Sequence, residues 1–92
     1  MSHTIRDKVK LLDRVRRIRG QVEAVERALD GEIGCADVLA LVAGARGAIN
    51  DLLAELAEAH IRMHVADPAR EGDADRAQAA QSLIDAMRSY LT

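Results

Sequence analysis

Six apolar residues, Leu11, Val15, Ile18, Val22, Val25 and Leu29, recur at alternating steps of four and three. This spacing keeps them on one edge of an α-helix for almost three heptads, whereas a half-buried strand would alternate every second residue. A seam of this kind demands a second apolar helix to lie against. Asp30-Gly31 closes the first helix, with Gly31 and Gly34 bracketing a short turn,. From about residue 36 to about residue 66 a second helix carries Val38, Leu41, Val42, Ala45, Ile49, Leu52, Leu53, Leu56 and Met63. Two long helices joined by so short a turn fold back as an antiparallel hairpin.

Gly44 and Gly47 weaken the second helix locally but allow a neighbouring helix to come close,. Asp67-Pro68 ends it, because the residue before a proline is pushed out of helical conformation,. Polar residues up to Asp73 form a loop, and a third helix carries Ala77, Ala80, Leu83, Ile84, Met87 and Leu91. With one Tyr and no Phe or Trp, the composition suits helices meeting along aliphatic seams better than a sheet,. The expected fold is all-α, a single domain over residues 1–92 built as a three-helix protomer. A chain this short buries a thin core, and a hairpin plus one short helix leaves apolar surface uncovered. Another copy of the chain is the simplest partner.

The net charge of -2 hides an uneven distribution. Residues 1–19 hold seven Lys and Arg against Asp7 and Asp13, a local balance of +5, and the rest of the chain stands at -7. Lys10, Arg14 and Arg17 follow a spacing that places them on one strip, and Arg46 stands isolated among Gly and Ala. A basic strip can be a solvated face with intrahelical ion pairs. With Asp7 and Asp13 the only acids available to seven cations, it suits contacts to phosphate,. No helix-turn-helix, zinc-finger or RNP-like pattern is present, so readout of DNA would depend on phosphates and shape.

The single cysteine, Cys35, excludes an intramolecular disulfide framework and fits a reducing compartment,. No apolar stretch approaches a membrane span, and the N-terminus lacks the apolar segment of a secretory signal, so a cytoplasmic location without membrane attachment is expected.

His60 and His64 are four residues apart and share a helix face, which allows both to bind one metal ion, though two exposed polar residues near a helix end would look the same,. In a hairpin folded about residue 33, the position opposite residue 60 lies near residue 5, which brings His3 toward that pair. Removal of the initiator Met would expose the α-amine of Ser2 as a further nitrogen ligand, although a frayed terminus is an equal reading. Cys35 lies about 35 Å from His60 along the same helix and cannot join its own histidines. If two copies pair their second helices antiparallel, Cys35 of one chain is carried to His60 and His64 of the other, and two equivalent sites arise by two-fold symmetry. Otherwise Cys35 is a small buried apolar residue. One thiolate with several nitrogen donors suits borderline ions such as nickel, cobalt or zinc better than copper(I), which favours sulfur-rich sites.

The segments MSHTIRDK and RVRRIRGQVEAVERAL, Cys35, the Ala-Gly-Ala-Arg-Gly-Ala-Ile-Asn stretch at 43–50, the His60/His64 pair and the closing Arg88-Ser89-Tyr90-Leu91 resemble the CsoR/RcnR/FrmR family of small helical repressors. The resemblance runs over essentially the whole length. It implies a dimeric antiparallel four-helix bundle, dimers pairing into tetramers, and binding of operator DNA through basic faces. Copper(I) members carry Cys-His-Cys, and His64 replaces the second Cys here. The set Ser2, His3, Cys35, His60 and His64 resembles that of the nickel/cobalt branch, implying a repressor released from DNA by metal to derepress an efflux gene. The central stretch also resembles the formaldehyde branch, in which Cys35 and the N-terminal amine would take the aldehyde. A structural helical adaptor without a DNA role is the reading from another class. Catalysis has little support, since no set of nucleophile, base and orienting group is visible.

Overall fold

The computed structural model describes residues 7–91, and three helices run through them: α1 over Lys8–Asp30, α2 over Cys35–His64 and α3 over Ala74–Leu91. α1 and α2 fold back on each other, and α3 returns along the C-terminal half of α2. The assembly is all helical among the described residues. It is a slab of 57 × 26 × 13 Å, only one helix thick in its shortest direction. Its radius of gyration is 17.3 Å, against about 12 Å for a compact chain of this length.

The hairpin turn is a Schellman motif. The Ile33 N–H donates to Ala28 O at 3.0 Å and the Glu32 N–H to Leu29 O at 3.2 Å, which satisfies the last carbonyls of α1,. Gly31 is not its left-handed residue, as the sequence would suggest. That seat falls to Glu32, at φ 56°. Gly31 sits at φ -83°, and its role is steric, because a Cβ there would come 3.2 Å from Arg27 O. At the other end of α2, both Val65 and Ala66 donate their N–H groups to Ile61 O at 2.9 Å. The helix therefore closes at His64, two residues before the expected end. Asp73 then caps α3, its Oδ1 accepting from Asp75 N at 2.9 Å and Arg76 N at 3.3 Å,.

The core is thin. Among the described residues only Ala28, Ala45, Ala54, Ala80 and Ile84 are buried apolar residues. The seam of α1 is covered along one row only. Leu11, Ile18 and Val25 are half-buried, while Val15, Val22 and Leu29 remain 45%, 51% and 63% exposed. The reason is rotational: α2 covers the side of α1 that carries Arg14, Gln21 and Ala28, leaving the far row of the seam open,. Gly44 and Gly47 have nothing within 4 Å of a built Cβ, so neither α1 nor α3 makes use of the close approach they permit. The surface is 6730 Å², whereas a compact monomer of 10.0 kDa would expose about 5,200 Å².

α3 is held by Ile84 and by a charged network the sequence does not announce. Arg88 Nη1 donates to Glu58 Oε1 at 2.9 Å, Arg62 Nε donates to Glu58 Oε2 at 3.3 Å, and Arg62 Nη1 donates to Asp67 Oδ1 at 3.2 Å. Glu58 joins helices thirty residues apart, which local spacing cannot reveal.

Ile84 is 1% exposed and is the largest fully buried side chain, so Ile84→Ala is expected to cost about 2–5 kcal/mol in denaturant titration. Glu32→Gly should raise stability, by up to about 1 kcal/mol, since glycine occupies the left-handed region without the Cβ penalty. An unchanged melting midpoint for that variant would show that the turn carries no strain.

Candidate functional site

The polar residues singled out above gather on two different faces of the hairpin. On α2, advancing about 100° per residue, Cys35, Val42, Ile49, Leu53, His60 and His64 fall within about 60° of one another. All six are exposed. Together they form an apolar stripe along the face turned away from α1, with the thiol at one end, the imidazoles at the other and Ile49 near the middle.

His60 and His64 stand on successive turns with ring centroids 4.7 Å apart and planes tilted by 41°. Two imidazoles so placed, both open to solvent, can turn their nitrogens onto one ion at about 2.0–2.1 Å. Cys35 opens α2, after Gly34 at φ -54° and ψ 145°, and its thiol is free and exposed. It is therefore not the buried apolar residue that a lone cysteine often is. The distance along α2 separates it from its own histidines by about 35 Å or more. No group of three metal-binding side chains forms among the described residues of one protomer. The donors present fit a metal ion as two imidazoles on one exposed face, with any thiolate having to come from another chain. Ser2 and His3 lie outside the described residues.

The basic face is built differently from the expectation. Lys10, Arg14 and Arg17 do share one side of α1, lining an open concavity with Asp7, Val9 and Asp13. Two of the three are already paired. Lys10 Nζ lies 3.1 Å from Glu55 Oε1, and Arg14 Nε lies 2.8 Å from Glu55 Oε2. The acids of the basic segment itself are not the only ones available to it, because the hairpin delivers Glu55 from α2. Asp13 meanwhile holds Arg16 at 3.3 Å, and Glu23 lies 4.0 Å from Arg19. Arg17 has no ion-pair partner among the described residues, although it lines a small cleft with Asp51, Arg14, Ile18 and Ala48.

Arg46 is not brought to this strip. It is exposed on the edge of the α2 stripe, roughly opposite Ala48 and Asp51, the α2 residues that face α1. Glu55 is the residue that sequence reasoning missed. The fold-back register that aligns residue 10 with residue 55 would have found it, had acids been counted across the hairpin and not only along α1.

Among the described residues, no helix is long and apolar enough to cross a membrane. Comparison with known proteins agrees with a regulatory reading. The family model for metal-sensitive transcriptional repressors matches residues 7–89. The chain is 40% identical over 92 residues to the transcriptional repressor RcnR of Salmonella arizonae, covering 99% of each chain. It is 48% identical over 91 residues to a Serratia marcescens protein described only by its position in the bioA 5′ region, again covering 99% of each. A match that takes in all three helices, joined to full-length similarity to a repressor, makes this chain a member of the metal-sensitive transcriptional repressor family, whose members are regulators and not enzymes.

Proposed function

We propose that this protein is a nickel- or cobalt-responsive repressor whose metal site is completed between two copies and whose metal-free form holds operator DNA in front of an efflux gene. The observation that carries the reading is the α2 stripe. Cys35 and the two histidines sit at opposite ends of one exposed apolar face, nearly symmetric about Ile49. A second α2 laid antiparallel on that face would cover Val42, Ile49 and Leu53 and set its Cys35 beside His60 and His64. The excess of exposed surface, about 1,500 Å² per copy and so about 3,000 Å² for a pair, is in the range that obligate homodimers bury. Val15, Val22 and Leu29, left open on α1, offer a second row to the same partner, and further pairing would give a tetramer.

In this reading His60 and His64 supply imidazole nitrogens and Cys35 of the second copy supplies a thiolate. The Ser2 amine and His3 complete the set from the head of α1. When bound, the ion supplies the attraction that holds these groups together. One thiolate among nitrogen donors favours nickel, cobalt or zinc over copper(I). The pairing of Lys10 with Glu55 places the head of α1 alongside the end of α2 that bears the histidines. Fixing that head therefore shifts the helix that carries Lys10, Arg14 and Arg17, and metal and DNA oppose each other by linkage. Arg46 would join the phosphate contacts only from the seam between two copies. The similarity to RcnR supports this branch, and a cytoplasmic setting suits a reduced thiol,.

Cobalt(II) added to the reduced protein should produce a thiolate charge-transfer band, lost in Cys35→Ser, together with weak d–d bands. Mixing Cys35→Ser with a His60→Gln/His64→Gln variant should restore binding at up to about one site in four, because a mixed pair keeps one intact site. Absence of recovery on mixing would overturn the shared site.

Saturating cobalt or nickel should also release the protein from a DNA fragment upstream of its own gene. Should formaldehyde release it instead, with His64→Gln leaving that response intact, the effector would be the aldehyde acting at Cys35 and the N-terminal amine.

A further inference from the structure

Among the described residues, every ion pair that crosses from α1 to α2 ends on one carboxylate. Glu55 takes Lys10 on Oε1 at 3.1 Å and Arg14 on Oε2 at 2.8 Å. Its side chain is 25% exposed, and Oε2 is sealed from solvent with no aligned hydrogen bond. The nearby guanidinium thus balances Oε2 by charge attraction without a well-directed N–H. A carboxylate oxygen removed from water in this way is costly unless a cation stays beside it. Lys10, at 65% side-chain exposure, is open to solution on its far side.

We infer that Glu55 is an intramolecular competitor of DNA phosphate, occupying two of the three α1 cations that the DNA-binding reading assigns to the nucleic acid. The inference rests on that reading. Phosphate oxygens would approach Lys10 and Arg14 at about the distance Glu55 already takes. Two anions cannot share that place without repulsion, so DNA has to displace the carboxylate or meet cations that are partly neutralised. Arg17 is different, having no acid partner among the described residues. The strip is therefore divided into one open cation and two held ones. Binding to arbitrary DNA draws almost wholly on phosphate neutralisation, so the cost of displacing Glu55 is read there directly.

The test uses the full chain and the variant Glu55→Gln, which keeps shape and removes charge. Binding to a labelled mixed-sequence duplex is followed by fluorescence anisotropy between about 50 and 200 mM salt. Glu55→Gln is expected to bind several-fold tighter. Its plot of log K against log salt should be steeper by about 0.9 for each cation released, roughly a 3.5-fold larger loss of affinity per cation over that range. A second arm leaves Glu55 in place, so it holds even if Glu55→Gln folds poorly. Arg17→Gln should reduce the slope by about 0.9 while Lys10→Gln reduces it by clearly less. Equal reductions for Lys10→Gln and Arg17→Gln, or a Glu55→Gln variant that binds no tighter and with unchanged slope, would overturn the inference while leaving DNA binding intact. Wild-type protein that binds neither this duplex nor the fragment upstream of its own gene at low salt would overturn the DNA-binding reading, and Glu55 as competitor with it.

Discussion

Two long helices folded into a hairpin have more apolar edge than they can hide from water, and nearly everything else in this protein depends on that. α1 and α2 can cover each other along a single line of contact, and α3 is long enough to cover only the C-terminal half of α2. Alanines and one isoleucine make up the buried apolar set among the described residues. Small side chains at the crossing points bring the helix backbones close, but they remove little surface from water. The open row of Val15, Val22 and Leu29 and the stripe of Val42, Ile49 and Leu53 follow directly from this shortage.

The same shape governs the chemistry. A helix of thirty residues separates its two ends by far more than any coordination sphere, so ligands placed at Cys35 and at His60 and His64 cannot meet within one copy,. Placed on one exposed face, they are available to a second molecule running the other way. Sensing would then depend on association. The network of Arg88, Glu58, Arg62 and Asp67 works on the opposite side of α2, where it ties α3 down beside the histidine-bearing end without using the histidine face.

Charge is partitioned by the hairpin as well. A segment that reads as an unopposed run of cations is, once folded, partly balanced by an acid from the neighbouring helix. Lys10 and Arg14 lie on the side of α1 that meets Glu55, and Arg17 has no ion-pair partner among the described residues. A count of charges along the chain cannot see this, because Glu55 is more than forty residues away in sequence and directly opposite in space.

The heptad spacing of α1, the Asp67-Pro68 stop and the four-residue step between His60 and His64 are local facts, and local backbone geometry is enough to turn them into helix, break and shared face. Three helices, a hairpin and a candidate ligand pair were therefore legible in the chain itself. What was not legible depends on rotation about helix axes and on partners remote in sequence. The left-handed seat went to Glu32 because the last hydrogen bonds of α1 set where the turn reverses, and Gly31 was kept small by a carbonyl. Which row of the α1 seam is covered, that Arg46 faces away from the basic strip, and that Glu55 holds two of its cations were decided by how α1 and α2 are rotated when they pack. Periodicity determines that a helix has a face; only tertiary contact determines what that face meets.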